Sequence, residues 1–311
     1  MNKELEEALQ IRYVKLHFTI EMLEDSVLPK YKVSALRGGI GEMLLRANCV
    51  RDRECEKCDF EAECMVQRTM YSKFDIKPEF VTTGESIGYV LECENYQEEF
   101  EAGECVQFQL LLFGKTIVYF NQYLQALHAL GMQGIGKNYS RFRIVSVTNT
   151  RKEPILDGNN IYMKNYEIQM VSEYVAYRLA QIERNGLENV VLFKTPLTLR
   201  YHNEYLQEFH VQAMINAVKR RIYMLECFEG KISELYSKKY ENIPEILQQE
   251  HYFVGVPRYS TRHGGKMTLK GIEGRMQITE METEILELLL AGELLHIGKN
   301  TSFGFGRYRI K

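Results

Sequence analysis

Residues 11–22 alternate Tyr13, Lys15, His17 and Thr19 with Val14, Leu16, Phe18 and Ile20, the period of two that predicts a strand with one buried face. After Pro29 the period changes. Val33, Leu36, Ile40, Met43, Leu44 and Ala47 recur at helical spacing, interrupted by Gly38, Gly39 and Gly41, and each glycine costs about 1 kcal/mol in a helix interior. Such a cluster implies close approach, either by a ligand or backbone or by a tightly packed sheet. The same signals predict strands at 85–92, 105–113 and 142–148 and a helix at 116–130, so the first half reads β-α-β-β-α-β, the ferredoxin-like order. A further helix carries Ile168, Val171, Val175, Leu179 and Ile182 on one face and stops at Asn185-Gly186.

The second half repeats the plan. A strand at 190–201 leads to a helix at 205–228 with Val211, Met214, Val218, Ile222 and Leu225 inward and Lys219, Arg220 and Arg221 clustered. A hairpin at 252–278, a helix at 281–290, a glycine-rich loop and a last strand follow. The predicted fold is therefore α+β, two tandem duplicated ferredoxin-like (RRM-related, βαββαβ) domains, with boundaries at 1–186 and 187–311. An internal repeat supports the duplication: Ile135-Gly-Lys-Asn-Tyr-Ser140 before Arg141-Phe-Arg-Ile144 matches Ile297-Gly-Lys-Asn-Thr-Ser302 before Arg307-Tyr-Arg-Ile310.

The second copy holds an extra Phe303-Gly-Phe-Gly306. Gly298, Gly304 and Gly306 allow a left-handed backbone and close approach, while Lys299, Asn300, Thr301, Ser302 and Arg307 supply donors, a combination suited to phosphate. No GxxxxGK[ST] is present, and the loop follows a helix instead of opening a βαβ unit, so neither a P-loop nor a dinucleotide fingerprint is indicated.

Composition narrows the class. The 311 residues, 45% hydrophobic, suffice for two ordinary cores, and no apolar run is long enough to span a membrane. An acidic start in place of a basic signal sequence predicts a soluble, cytoplasmic chain with no membrane partner. Net charge is −3, which excludes a uniformly basic nucleic-acid binder, but its distribution is uneven. Glu92, Glu94, Glu98, Glu99, Glu101 and Glu104 crowd one loop without a cation, whereas Arg258, Arg262, Lys266, Lys270 and Arg275 oppose Glu273 alone. Within the predicted hairpin, Arg258, Tyr259, Arg262, His263 and Lys266 interleave charge with rings, as RNA binding by backbone grip and base stacking requires, although a solvated ribbon reads the same way. Cys49, Cys55, Cys58 and Cys64 sit in one short charged loop with a central CxxC, the spacing of a tetrahedral four-cysteine metal site. Zinc is favoured and an iron–sulfur cluster is the alternative. Four ligands would close the site, making it structural. Cys93, Cys105 and Cys227 are isolated.

Tyr31-Lys-Val-Ser-Ala-Leu-Arg-Gly-Gly-Ile-Gly41, the four-cysteine loop, Gly134-Ile-Gly-Lys, Tyr259-Ser-x-Arg and above all Leu294-Leu-His-Ile-Gly-Lys-Asn-Thr-Ser-Phe-Gly-Phe-Gly-Arg-Tyr-Arg together resemble the CRISPR-associated RAMP endoribonucleases that process repeat RNA, the sixth Cas family, in its cysteine-bearing branch. The resemblance implies a CRISPR repeat RNA as substrate and cleavage without a catalytic cofactor. In that chemistry the ribose 2′-OH attacks the adjacent phosphorus and leaves a 2′,3′-cyclic phosphate and a 5′-OH. It also implies effector-complex subunits as protein partners and leaves a homodimer open. The competing role is a non-catalytic RNA-binding RAMP subunit that holds a processed guide.

This reaction needs a base, an acid and a group that stabilises the phosphorane charge. Relatives tend to read GxxGH beside the first helix, where this chain has Glu42. The remaining candidates are His296 as acid or base, or else as a helix C-cap, Lys299 as charge stabiliser, and Tyr31, Lys32 and Arg37 in the first-helix segment. His17, His202 and His263 are read as strand, RNA-contacting or structural residues.

Overall fold

The computed structural model describes residues 3–71, 73–81, 86–260 and 265–311. Its first half contains α1 (Lys3–Ala8), β1 (Arg12–Met22), β2 (Ser26–Val27), α2 (Lys32–Asn48), α3 (Met65–Met70), β3 (Tyr89–Glu92), β4 (Glu99–Phe100), β5 (Cys105–Phe113), α4 (Phe120–Gln133), β6 (Phe142–Thr148), β7 (Pro154–Asp157), β8 (Asn160–Ile161), β9 (Gln169–Met170) and α5 (Val171–Asn185). The second half contains β10 (Val190–Leu197), β11 (Arg200–Tyr201), β12 (Glu204–Tyr205), α6 (Val211–Phe228), β13 (Ile246–Ser260), β14 (Gly265–Ile278), α7 (Thr283–Leu295) and β15 (Tyr308–Ile310).

The first sheet runs β3-β5-β1-β6-β7-β8, with β9 also pairing β1, and the second runs β13-β14-β10-β15. Counting only the strands of each βαββαβ unit, both orders are second, third, first, fourth, and all these pairings are antiparallel. The chain is thus a duplicated ferredoxin-like α+β fold.

Alternation along the strands decides what each face covers. Val14, Leu16, Phe18 and Ile20 of β1 join Leu36, Ile40 and Met43 of α2 and Tyr123, Leu127 and Leu130 of α4 in one core. Tyr13, Val90, Leu111 and Phe113, on the opposite face, join Met214, Val218 and Ile222 of α6 and Leu288 and Leu289 of α7 in a second core, so the two halves share apolar packing. α5 belongs to this shared region: Arg178 donates to Glu293 Oε2 on α7 at 2.8 Å and to the Ile310 carbonyl at 2.8 Å, with both partners buried.

Several elements differ from the expected ones for local reasons. The 116–130 helix opens with a 3-10 turn, Gly114–Tyr119, before α4. The strand predicted for 190–201 ends at Leu197 because residues 198–205 turn back as β11 and β12. Gly39 explains part of the glycine cluster: a Cβ there would stand 2.5 Å from Leu130 Cδ1, so the contact is with α4, not with a sheet or a ligand. Of the basic trio on α6, Lys219 and Arg221 are buried, and Arg221 donates to the Leu295 and Ile87 carbonyls at 3.1 and 3.0 Å, so they are packing residues. Among the described residues no helix is long and apolar enough to cross a membrane.

Candidate RNA-cleavage site

The glycine-rich loop leaves α7 at His296 and seats its Thr301–Phe303 turn against the first half. Asn300 and Gly304 bracket that turn with left-handed backbone, φ 64° and 77°. Gly304 lies so close to β3 that a Cβ would stand 2.6 Å from the Leu91 carbonyl oxygen, and at Gly306 it would stand 1.8 Å from that of Ile297. The amides of Lys299 and Gly306 donate to the Thr198 and Pro196 carbonyls. Glycine is therefore needed here for close approach of protein backbone, not of a ligand, and those two amides are spent inside the fold.

His296 is fully buried, Nε2 lying 2.8 Å from Glu92 Oε1 and Nδ1 3.0 Å from the Phe305 carbonyl. Burial lowers its pKa although the Glu92 hydrogen bond and charge pull it upward. Glu92, on β3, also faces Lys15 at 3.1 Å and Arg307 at 3.5 Å. Burial opposes its ionisation, but Lys15, His296 and Arg307 outweigh that and hold the carboxyl well below the usual carboxylate range. Arg307 is further paired with Glu94. With no exposed surface and both ring nitrogens engaged, His296 clamps the loop to the first half. Lys32 is likewise buried: its ammonium donates to the Asn95 carbonyl at 3.0 Å and sits 5.3 Å from the Phe100 ring, and burial lowers its pKa.

What the fold does bring together is Arg37, Ser302, Phe303 and Arg258. Arg37 Nε donates to Ser302 Oγ at 3.2 Å and Nη2 to Ser86 Oγ at 3.0 Å. Its guanidinium lies 4.3 Å from the Phe303 ring centroid, and that of Arg258, from the hairpin, lies 4.6 Å from the same centroid. Burial and the Arg37 charge both lower the Arg258 pKa. Cations gather on an aromatic face readily, but two cations about one ring repel each other, and among the described residues neither has a carboxylate within ion-pair distance. The contrast with Arg307, Lys15, Arg46, Arg53 and Arg275, each matched to a glutamate, is sharp. Forked guanidinium donors of this kind have the geometry to bind phosphate.

The cleft beside this pair is lined by Tyr31, Ser34, Tyr96, Val256, Glu273, Phe303 and Arg307. Tyr31 stands at the N-terminal end of α2 without a side-chain capping bond and meets Tyr96 edge-on at 5.9 Å. Burial raises the pKa of Glu273, which accepts from Tyr252 Oη at 3.1 Å. Phe303, Ser86 and Glu273 are not among the site residues expected from the sequence. The extra Phe-Gly-Phe-Gly of the second repeat was the available signal for Phe303; Glu273 looked like a lone acid in a basic stretch.

Other expected residues stand apart. Lys299 is exposed and donates to Tyr205 Oη at 3.0 Å. Lys266 is exposed near the hairpin end, paired in register with Tyr259, whose backbone alone is described; Arg262 and His263 lie outside the described residues. Glu42, in the family's histidine place, is tied to Arg46 and Arg53 at 2.8 and 2.7 Å. The cysteine loop stands apart as well. Cys49, Cys55, Cys58 and Cys64 line a common cavity, but among the described residues no three His, Cys, Asp or Glu side chains are placed to hold a metal ion. Cys49 Sγ accepts from the Arg53 amide at 3.2 Å.

Known proteins agree with this organisation. Residues 9–174 match a family model described as an N-terminal domain, and residues 191–308 match the model of CRISPR-associated endoribonuclease Cas6. An uncharacterized protein of Archaeoglobus fulgidus is 23% identical over 292 residues, covering 91% of this chain and 93% of that one. A Cas6 product complex superposes with a TM-score of 0.52 at 13% identity, over 96% of this chain and 99% of that one. A partial Cas6-RT-Cas1–Cas2 complex gives 0.55 at 11% identity over 97% of this chain, which spans only 46% of that longer one. The chain is thus Cas6-like: its second half matches the CRISPR-associated endoribonuclease Cas6 model, and its whole length shares the duplicated ferredoxin-like fold.

Proposed function

We propose that the protein is an endoribonuclease that cuts precursor CRISPR RNA within its repeats to release guide RNAs. The 2′-OH upstream of the scissile phosphate attacks phosphorus, the bond to the 5′-oxygen breaks, and the products carry a 2′,3′-cyclic phosphate and a 5′-OH. The observation that carries this reading is the pair of guanidiniums on Phe303, held without a counter-ion among the described residues where α2, the glycine-rich loop and the hairpin meet. Arg37 and Arg258 bind the scissile phosphate and stabilise the charge that develops on its oxygens. Of the titratable groups lining the cleft, Glu92 and Glu94 are paired with Arg307, and Tyr31 and Glu273 serve the two proton transfers. Lys32 and His296 position the first-helix segment and the loop, and Gly298, Asn300, Thr301, Gly304 and Gly306 shape the wall on which Ser302 and Phe303 are displayed.

The test is incubation of purified protein with end-labelled repeat RNA in EDTA, with the product ends identified by phosphatase and kinase treatment. Cleavage at one position with a cyclic phosphate supports the reading. The second reading, a non-catalytic guide-holding subunit of an effector complex, is favoured by one observation: no histidine among the described residues lines the cleft. Tight binding of the same RNA with no cleavage would select it.

A further inference from the structure

Lys299, three residues before Ser302, points away from the Arg37–Arg258 pair to the short β11–β12 hairpin. The hairpin register pairs Arg200 with Tyr205 and Tyr201 with Glu204, which leaves His202 and Asn203 as a two-residue turn. Both have positive φ, 47° and 68°, the left-handed backbone that this turn demands. An exposed histidine is thereby fixed at the tip. Its ring stacks on Tyr201 with centroids 3.9 Å apart, and Tyr201 also meets the His210 ring at 4.6 Å, tilted by 48°. His210 is itself anchored, because its Nδ1 accepts from the Ala213 amide at 3.3 Å as the cap of α6. The result is a column of rings with a solvent-facing end.

Beside the column, Tyr205 is half exposed, with the Lys299 ammonium hydrogen-bonded to its hydroxyl and 5.1 Å from its ring, and the Arg200 guanidinium 5.6 Å from the ring. The Lys299 hydrogen bond lowers the Tyr205 pKa. Among the described residues neither Lys299 nor Arg200 has a carboxylate within ion-pair distance. The hairpin root is tied to the glycine-rich loop, since the Lys299 amide donates to the Thr198 carbonyl at 2.7 Å. Three residues of chain place Lys299 within about 11 Å of Ser302, Cα to Cα, so a strand leaving the guanidinium pair reaches the hairpin directly.

We propose that Arg200, Tyr201, His202, Tyr205, His210 and Lys299 form a subsite that holds single-stranded RNA flanking the scissile phosphate, a base extending the ring column and its phosphate meeting Lys299 and Arg200. The identification of the ligand as RNA rests on the nuclease reading; the chemistry of stacked rings with unpaired cations selects an unstacked strand over a duplex, whose base faces are hidden.

Fluorescence anisotropy with a repeat RNA made uncleavable by a 2′-deoxy nucleotide at the scissile position tests it. Three RNAs are compared: one with single-stranded flanks, one trimmed at the site, and one whose flanks are annealed to a complement. For the flanked strand, Tyr201→Ala with His202→Ala should raise Kd roughly five- to hundred-fold, the range for loss of base stacking, while the trimmed and annealed RNAs bind as they do to the unaltered protein. Tyr205→Phe, which keeps the ring, should lose less than Tyr205→Ala. Equal weakening for all three RNAs, or none for the flanked strand, would overturn the subsite. If the double variant melts near the assay temperature, His202→Ala alone carries the test, because that side chain is exposed at a turn. Ribose-containing RNA is run in parallel on the unaltered protein; absence of cleavage alongside flank-dependent binding would defeat the nuclease reading and leave the subsite standing.

Discussion

Replacing Arg37 by alanine removes two side-chain hydrogen bonds, to Ser302 and Ser86, and one of the two cations on Phe303. The stability cost follows from the bonds. Each is worth about 0.5–1.5 kcal/mol net, so the variant should lose about 1–3 kcal/mol, which a domain with about 5–15 kcal/mol in hand survives at 25 °C. The catalytic cost is of another kind. If Arg37 stabilises charge that appears only in the phosphorane, its loss should lower the single-turnover rate about 10²–10³-fold, or about 2.7–4 kcal/mol. Arg37→Lys keeps the charge but not the fork or the flat stacking surface, and should recover less than a tenth of the rate. Because Arg37 and Arg258 share one ring and raise each other's electrostatic cost, the double variant Arg37→Ala with Arg258→Ala should not show the product of the single effects. Single-turnover cleavage of labelled repeat RNA with enzyme in excess measures all of these. A rate for Arg37→Ala within threefold of the unaltered enzyme, at matched folded fraction, would refute the assignment of the site.

Glu92→Gln should cost about 3–5 kcal/mol at neutral pH, since Lys15, Arg307 and His296 then share no buried anion. The Glu92 pKa is depressed in the fold, so its contribution is complete above the ordinary carboxylate range, about pH 4.3, and is lost as pH falls below it; the stability gap between variant and parent in urea titrations should narrow there. A gap that widens on acidification would contradict the clamp. Gly306→Ala forces a Cβ to 1.8 Å from the Ile297 carbonyl at φ 70° and should destabilise by about 2–4 kcal/mol in thermal melts, whereas Gly38→Ala, with open space, should be neutral or stabilising. Exhaustive chelation followed by thermal melts decides whether the four cysteines around one cavity hold a structural metal: a drop that added zinc reverses shows one, and an unchanged melting temperature shows none.

The periodicities of β1, β5 and β6 were legible almost to the residue because each strand has a face that must be apolar, and the repeated helix–loop–strand segment revealed the duplication. The short β11–β12 hairpin was not, since it buries nothing and its turn uses histidine and asparagine where glycine would have signalled it. Within the site, residue type pointed to the right segments but assigned the wrong depth. His296, Lys32 and Arg307 have the chemistry of catalysts, yet the glutamates and carbonyls that claim them come from residues 92–97, which no local pattern links to the C-terminal loop. The converse holds for Arg37 and Arg258: what marks them is the absence of a carboxylate partner among the described residues, a property of the assembled surface.

The most direct test replaces the single ribose upstream of the scissile phosphate with its 2′-deoxy analogue and follows cleavage in EDTA. The account predicts that binding stays within a few-fold of the all-ribose repeat while cleavage at that position disappears. Continued cutting of the deoxy RNA would show that water and not the ribose is the nucleophile, and would contradict the proposed reaction.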